Sequence, residues 1–450
     1  MGNTIGWLRR DLSKGLHFTV TEACKAEGVD LTQSCDLKFG SDSGLISIGN
    51  VTRGTVVPQP GIAGIGIWIA TTIFLAVIVL ALMWKGVESL TSVSDWDALA
   101  MFRDKRGKNP GWKDKLRAAG RTFIIGTADA QTIFVGAFLL GFAGQNKCTL
   151  TSYHFTVAVN QMMIALSVIT FSVALVRTYW RSPLAAVFRL LLTIGSFIGV
   201  GLTIFRQENY APDDSVTKFH MDSPMDSAIL LPVACLLETE LRDAVEKQAK
   251  DNEAELGFGK ATTWPPERIF YIFLVVSCLA AHISIPLRFY FGKSRDNTPV
   301  KWTYRRMILT AVYWLWVLLP PILTSVFAWG RVYQLREWIA NSGWMADPNT
   351  ETMILDSGQL IAMGVLITII MNVLTEAKER EKKSVEENGA NNELEEEERL
   401  VGSRPPSPDH GPPLVESLQA TEGYEMLTVR SYGTPLMNVA QNFPTTTRPY

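Results

Sequence analysis

Long apolar runs alternate with shorter polar segments over most of the chain. About 20 apolar residues, rising 1.5 Å each in a helix, cross a hydrocarbon core of about 30 Å. Lipid offers the backbone no hydrogen-bond partners, so runs of this length are expected to be helical. The pattern predicts seven transmembrane helices, near residues 62–84, 122–144, 153–176, 184–205, 267–291, 307–329 and 353–374.

These runs predict the fold class, an all-α polytopic membrane helix bundle with seven transmembrane helices and a disordered C-terminal tail. The bundle covers residues 62–374, after an N-terminal segment, 1–61, and includes a large loop at 206–265. Residues 375–450 are rich in Lys, Glu, Asn, Ser and Pro, a composition typical of disorder. Hydrophobic residues make up 47% of the chain and charged residues 19%, which is too apolar for a soluble protein with such a tail.

Charge in the loops predicts the orientation, because Lys and Arg are concentrated in short cytosolic loops. Segment 85–121 contains nine Lys and Arg residues, and segment 293–306 contains five. The loop 206–265, on the opposite side in the alternation, has twelve acidic and six basic residues. We therefore expect an extracytosolic N-terminal segment and a cytosolic tail, in the plasma membrane or an endomembrane.

A short apolar run, AILLPVACLL at 228–237, interrupts the large outer loop. Ten residues are too few to cross a bilayer. A surface helix over the outer end of the bundle is the favoured interpretation, and a re-entrant segment is the alternative.

Two ionisable residues inside the predicted spans are candidates for a functional site. Asp129 lies eight residues beyond Arg121 at the cytosolic edge, and Arg189 lies at a similar depth in the fourth span. An ion pair between them would explain how both are tolerated in lipid. A packing bridge between helices is favoured over a role in binding protons, ions or a substrate.

Further polar residues extend this list of candidate intramembrane sites. His282 lies four residues before Pro286 in the fifth span, and Asp356 and Gln359 lie in the first outer turns of the seventh. Together with the ion pair they could converge on one cavity, although a lone membrane histidine is more often a donor between helices. Asn160 and Gln161 of the third span have the same packing interpretation.

Small residues in the fourth span predict close helix packing. Gly195 and Gly199 have GxxxG spacing, which removes side chains from one face and lets another helix approach.

Four of the five cysteines fall on the predicted outer side, where oxidising conditions favour disulfides. They are Cys24, Cys35, Cys148 and Cys235. Proximity favours Cys24 with Cys35, and a bond from Cys148 to Cys235 would tie the third span to the outer loop, but spacing does not determine the pairing.

Other sequence motifs give few chemical assignments. Asn50 begins an N-V-T glycosylation sequon on the same outer side. No Cys and His cluster has zinc-site spacing, and the chain contains no P-loop, GxSxG or HExxH motif. We therefore expect no metal and no cofactor.

The segment 127–181 resembles a group of multi-pass membrane proteins of filamentous ascomycete fungi with no established function. Its pattern is an Asp and a Gln early in one span, then a Cys, then a Tyr and a His that open the next span. These are matched here by Asp129, Gln131, Cys148, Tyr153 and His154. Phe155 and Thr156 stand where a tryptophan is expected soon after the histidine. The resemblance implies a fungal source and assigns no reaction.

Three functions are compatible with this pattern. A receptor-like or scaffold role is favoured by seven spans, an outer N-terminus and a long cytosolic tail. The alternatives are a transporter, or an intramembrane enzyme such as a proton-initiated cyclase that acts on a lipophilic metabolite. The expected partners are the lipid bilayer, an unknown ligand or metabolite, and cytosolic proteins that bind the tail. No nucleic-acid partner is expected, because the basic residues lie in short loops that mark orientation.

Overall fold

The structure is a computed structural model of the full chain. It describes residues 20–26, 28–39, 45–49, 51–91, 112–142, 146–176, 183–206, 227–237, 239–252, 266–292, 314–349, 351, 367, 369–372 and 374–375.

Helices dominate the described residues. In chain order they are α1 Val20–Ala26, α2 Leu31–Ser34, α3 Pro60–Ala63, α4 Ile65–Thr91, α5 Trp112–Phe142, α6 Asn146–Thr149, α7 Ser152–Leu175, α8 Pro183–Arg206, α9 Val233–Leu237, α10 Thr239–Asp251, α11 Pro266–Gly292 and α12 Leu319–Asn341. A 3₁₀ turn at Ala228–Leu230 precedes α9, and a π turn at Trp314–Leu318 leads into α12.

Six helical segments among the described residues are long and apolar enough to cross a membrane. They are Pro60–Leu80, Ala119–Phe142, Ser152–Leu175, Ala186–Phe205, Pro266–Ile283 and Leu315–Asn341. They overlap six of the seven predicted spans, so the structure has the character of a multi-pass membrane protein.

The sixth helix corrects one predicted boundary. The apolar run predicted a span at 307–329, whereas the helical segment covers Leu315–Asn341. Arg331 lies two residues beyond the predicted end, and an arginine is costly in lipid. In the structure Arg331 is buried, and its Nε lies 4.0 Å from Oε1 of Glu267 on α11. This pairing allows the helix to continue.

The seventh predicted span, 353–374, lies largely outside the described residues. Residues 367, 369–372 and 374–375 are described, and all are helical. Asp356 and Gln359 fall outside the described residues, as does the predicted disordered tail beyond Thr375.

Helix α7 is the centre of the bundle. All of its residues from Ser152 to Leu175 are buried, and it packs against α4, α5, α8, α11 and α12. Helix α7 has apolar residues of its own on every face. A helix of this kind is stable where other helices enclose it.

A small sheet departs from the predicted all-α class. Strands β1 Leu37–Phe39, β2 Leu45–Ile48 and β3 Val51–Thr52 form an antiparallel sheet in the order β1-β2-β3. Gly49, after β2, has φ +60°, and a Cβ there would overlap the carbonyl of Ser34. Only glycine fits both the backbone angle and the space.

The sheet, α1, α2, α6, the Ala228–Leu230 turn, α9 and α10 are here called the cap. The apolar run 228–237 lies in its interior, because residues from Ala228 to Leu236 are buried. The backbone N–H of Ser152 donates to the carbonyl of Leu231, and that of Val233 donates to the carbonyl of Leu150. The favoured interpretation, a surface helix over the end of the bundle, is therefore wrong about exposure, whereas the run does pack at the start of α7. Its side chains are sheltered by the cap.

Candidate functional site

A buried polar cluster joins the cap-side end of α7 to the segment that follows α12. Tyr153 and His154 belong to the first turn of α7, and Glu351 lies ten positions beyond the end of α12. All three residues are almost fully buried. Such burial of a carboxyl group requires compensating hydrogen bonds.

Three hydrogen bonds hold the carboxylate of Glu351. His154 Nε2 lies 2.7 Å from Oε1, and the hydroxyl of Tyr153 donates to Oε2 at 3.1 Å. The backbone N–H of Gln59, immediately before α3, also donates to Oε1 at 2.9 Å. The carboxylate of Glu351, in the segment after α12, therefore connects that segment to the residue before α3 and to the start of the central helix α7.

The other ring nitrogen of His154 bonds to the residue that caps α7. Thr151 is the N-cap, and its Oγ1 lies 2.7 Å from His154 Nδ1 and accepts from the backbone N–H of His154. An imidazole protonated on Nε2 satisfies this network, since it donates to Glu351 and accepts from the hydroxyl of Thr151. The tautomer is assigned from these partners.

The charge state of Glu351 follows from its surroundings. Burial alone would raise the pKa of this carboxyl group, because it disfavours the charged form. The bond and the electrostatic attraction from His154, and the bonds from Gln59 and Tyr153, outweigh burial and hold the pKa of Glu351 below its ordinary value. Arg336 adds a bond from its guanidinium to the carbonyl of Glu351 at 3.3 Å. Glu351 is therefore ionised at neutral pH.

The order of hydroxyl, imidazole and carboxylate is that of a catalytic triad. Its setting argues for a structural role, however. Thr151 already caps the helix, and the imidazole of His154 is fully buried. A nucleophile must be reachable by its substrate, and this one is not. We therefore interpret the cluster as a structural link that holds α7 to its neighbouring segments.

Asp129 and Arg189, which the sequence places at similar depth, form a bidentate pair. Arg189 donates from Nε to Oδ1 of Asp129 at 2.8 Å and from Nη2 to Oδ2 at 2.7 Å. The side chains are 41% exposed for Asp129 and 26% for Arg189. This geometry is typical of a strong bridge between two helices, here α5 and α8.

His282 lies on a different helix. Its Nδ1 is 2.9 Å from the carbonyl oxygen of Cys278 and 3.6 Å from the sulfur of Cys278, one turn earlier in α11. These two contacts of His282 lie within its own helix, whereas the ion pair joins α5 and α8.

Two disulfides tie the cap together. Cys24 of α1 bonds to Cys148 of α6, and Cys35 bonds to Cys235 of α9. The pairing favoured by proximity, Cys24 with Cys35, is therefore wrong, and so is Cys148 with Cys235. Two cysteines close in sequence here have different partners: Cys24 bonds to α6, just before the central helix, and Cys35 bonds to α9 in the loop 206–265.

Other sequence candidates receive no structural assignment. The sequon residue Asn50 lies outside the described residues. Within the described part of the chain, no three His, Cys, Asp or Glu side chains are grouped closely enough to hold a metal ion.

Comparisons with protein-family models, with curated proteins and with solved structures found no match. They identify no family. What is established is the coarse class, a multi-pass membrane protein by the length and composition of its helices.

Sequence reasoning missed Glu351, the centre of the buried cluster. It treated Tyr153 and His154 as a motif and assigned them no partner. One signal was available, because an acidic residue just before the seventh predicted span lies on the same membrane side as a Tyr-His pair that opens the third.

Proposed function

We propose that this chain is a receptor-like or scaffold protein of a membrane, which holds a disulfide-bonded cap on one side and its tail on the other. The observation that carries the proposal is the Glu351 cluster, which fixes the cap-side end of the central helix to two neighbouring segments. Backbone hydrogen bonds from Ser152 to Leu231 and from Val233 to Leu150 join the cap to this end of the helix. A binding surface on the cap would therefore remain in register with the helices beneath it.

The proposed orientation places the cap outside the cytosol. Disulfides form and persist in oxidising compartments, and both disulfides belong to the cap. The basic segments 85–121 and 293–306 then face the cytosol. A seventh span at 353–374 carries the tail to the cytosolic side, where proteins that bind it would be recruited.

Transport and intramembrane catalysis have less support from the site. Asp129 is one candidate proton carrier or donor for both alternatives, and Asp356, the other shared candidate, lies outside the described residues. Both carboxylate oxygens of Asp129 accept hydrogen bonds from Arg189, through Nε and Nη2. Segment 127–181 of this chain resembles fungal membrane proteins, and that resemblance is part of the proposal. It assigns no reaction to the chain.

The orientation is tested on the full chain in sealed membrane vesicles. A membrane-impermeant maleimide reagent, applied after mild reduction, should label the four cap cysteines only when the non-cytosolic face is accessible. Endoglycosidase treatment should shift the mobility of the wild-type chain and leave that of an Asn50→Gln variant unchanged. Labelling of the cap from the cytosolic face would overturn the orientation.

The role is tested with a biotin ligase fused to the C-terminal tail. Proteins labelled in cells that carry the wild-type chain are compared with those labelled for a Glu351→Gln variant and an exposed control, Glu337→Gln. A receptor-like or scaffold role predicts a changed set for Glu351→Gln alone, with equal membrane levels and the same disulfides in all three. If the same proteins are labelled in the wild type and in Glu351→Gln, the proposed link between the Glu351 cluster and the tail is contradicted.

Metabolites of cells that lack the chain separate this role from the alternatives. A receptor-like or scaffold role predicts neither a precursor that accumulates nor a finished product retained inside cells. Accumulation of a precursor would overturn the proposal in favour of an enzyme. Retention of a finished product would overturn it in favour of an exporter.

A further inference from the structure

The central helix repeats a pair of polar residues at an interval of seven. Tyr153 and His154 form the upper pair, and Asn160 and Gln161 form the lower pair. Seven residues are almost two full turns, so both pairs lie on the same side of α7, about 10 Å apart along its axis.

The lower pair lies deep in the bundle. Gln161 is nine residues from the start of α7, which corresponds to roughly 14 Å along a helix that rises 1.5 Å per residue. This is close to the middle of a hydrocarbon core about 30 Å thick. Both side chains are completely buried.

The lower pair differs from the upper one in its hydrogen bonds. Asn160 donates from Nδ2 to the carbonyl of Thr156 at 2.9 Å. In the described part of the chain, no protein group bonds to Oδ1 of Asn160, or to Oε1 and Nε2 of Gln161. Three polar atoms at mid-depth therefore need partners, since a buried amide without them costs considerable free energy.

We propose that Asn160 and Gln161 bind ordered internal water, and so form a hydration site two turns below the Glu351 cluster. Water suits this position because the lower pair offers both a donor and two acceptors, and one water molecule can donate and accept at once. The proposal does not depend on the receptor-like role, since internal water would equally serve a scaffold, a transporter or an enzyme.

The site can be tested by X-ray radiolysis of the full-length chain in lipid nanodiscs. Radiolysis converts bound water to hydroxyl radicals, which oxidise methionine side chains close to it. Met162 and Met163 follow Gln161 directly and are completely buried. Prompt oxidation of these methionines, read by mass spectrometry in isotopically labelled water, is the expected result.

A double variant and a control variant make this test specific. Asn160→Leu together with Gln161→Leu should reduce the oxidation of both methionines several-fold. Ser167→Ala is the matched control, because its hydroxyl already bonds to the carbonyl of Met163 and should not affect the labelling. Equal oxidation of Met162 and Met163 in the wild type and the double variant would overturn the proposal.

If the double variant folds poorly, the melting temperature of the single variant Gln161→Leu tests the same site. A dry amide without partners destabilises the folded state, so Gln161→Leu would then raise the melting temperature. A hydrated amide is satisfied, and its replacement should leave the melting temperature unchanged or lower it. A clear rise would overturn the proposal.

Discussion

Glu351 and His154 meet through a 2.7 Å contact between Oε1 and Nε2, although 197 positions separate them in the chain. The contact joins the first turn of the central helix to a residue beyond the end of α12. Both side chains are almost completely buried, at 0% exposure for His154 and 3% for Glu351. The pair is thus sheltered from water and from screening by salt.

Removal of the Glu351 carboxylate should destabilise the protein strongly. Glu351→Ala leaves His154, Tyr153 and the Gln59 N–H without their buried partner, and each buried donor that loses its partner typically costs about 1–3 kcal/mol. The free energy of unfolding, measured by titration with SDS in mixed micelles, tests this value. Glu337→Ala, at an exposed position of α12, should change it by no more than about 0.5 kcal/mol. Equal effects of the two changes would contradict the prediction.

Stability should fall in acid because of the same residue. The pKa of Glu351 is lower in the folded protein than its ordinary value of 4.5. Its contribution is therefore complete above that value and is lost as the pH falls through the folded pKa. Melting temperatures between pH 7 and pH 3 should decline more steeply below pH 4.5 for the wild type than for Glu351→Gln.

The comparison with Glu351→Gln isolates this residue from other acidic groups. Asp30 also has a lowered pKa, because the hydroxyl and backbone N–H of Thr32 both donate to its carboxylate. Asp30 titrates in both proteins and so cancels in the difference. Parallel acid curves for the wild type and the variant would show that Glu351 carries no such contribution.

The disulfides should be found as Cys24–Cys148 and Cys35–Cys235. Mass spectrometry of a digest under non-reducing conditions should detect these linked peptides, and a peptide that contains a Cys24–Cys35 bond would contradict the structure. Loss of either disulfide, by paired replacement with serine, should cost roughly 2–5 kcal/mol, because each closes a long loop. Cys278→Ser is the control for pairing, since Cys278 is not disulfide-bonded.

The ion pair between Asp129 and Arg189 should act as a packing bridge. In a double-mutant cycle with Asp129→Asn and Arg189→Gln, the coupling energy should lie between about 0.5 and 3 kcal/mol, as for residues in direct contact. The measurement is the unfolding free energy of the two single variants and the double variant. Effects that simply add would show that the two charges do not support each other.

The two glycines of the fourth span should differ in their tolerance of a methyl group. A Cβ at Gly199 would overlap the side chain of Leu139 on α5, whereas Gly195 has no neighbour within 4 Å of such an atom. Gly199→Ala should cost about 1–3 kcal/mol. Gly195→Ala should be neutral or stabilise by about 0.5–1 kcal/mol, because alanine favours the helix. The unfolding free energies of the two variants decide this, and equal values would contradict close packing at Gly199.

Much of the membrane architecture could be predicted from local sequence. Six spans are visible as apolar runs because the thickness of a bilayer imposes a length that each helix must satisfy by itself. The depth of Asp129 and Arg189 in their helices could likewise be counted along the chain, and the structure brings the two together. The end of the sixth helix could not be predicted, because Arg331 is tolerated through Glu267, a residue of another helix.

The sequence by itself determined the class of protein, the positions of six helices and the residues able to form an ion pair in the bundle. Only the tertiary structure decided which cysteines pair, that the run 228–237 is buried in the cap, and that Glu351 meets His154 and Tyr153. The physical reason is the range of the interactions. A span depends on its own apolar residues and on lipid, whereas a disulfide or a buried carboxylate depends on partners that folding brings from distant parts of the chain.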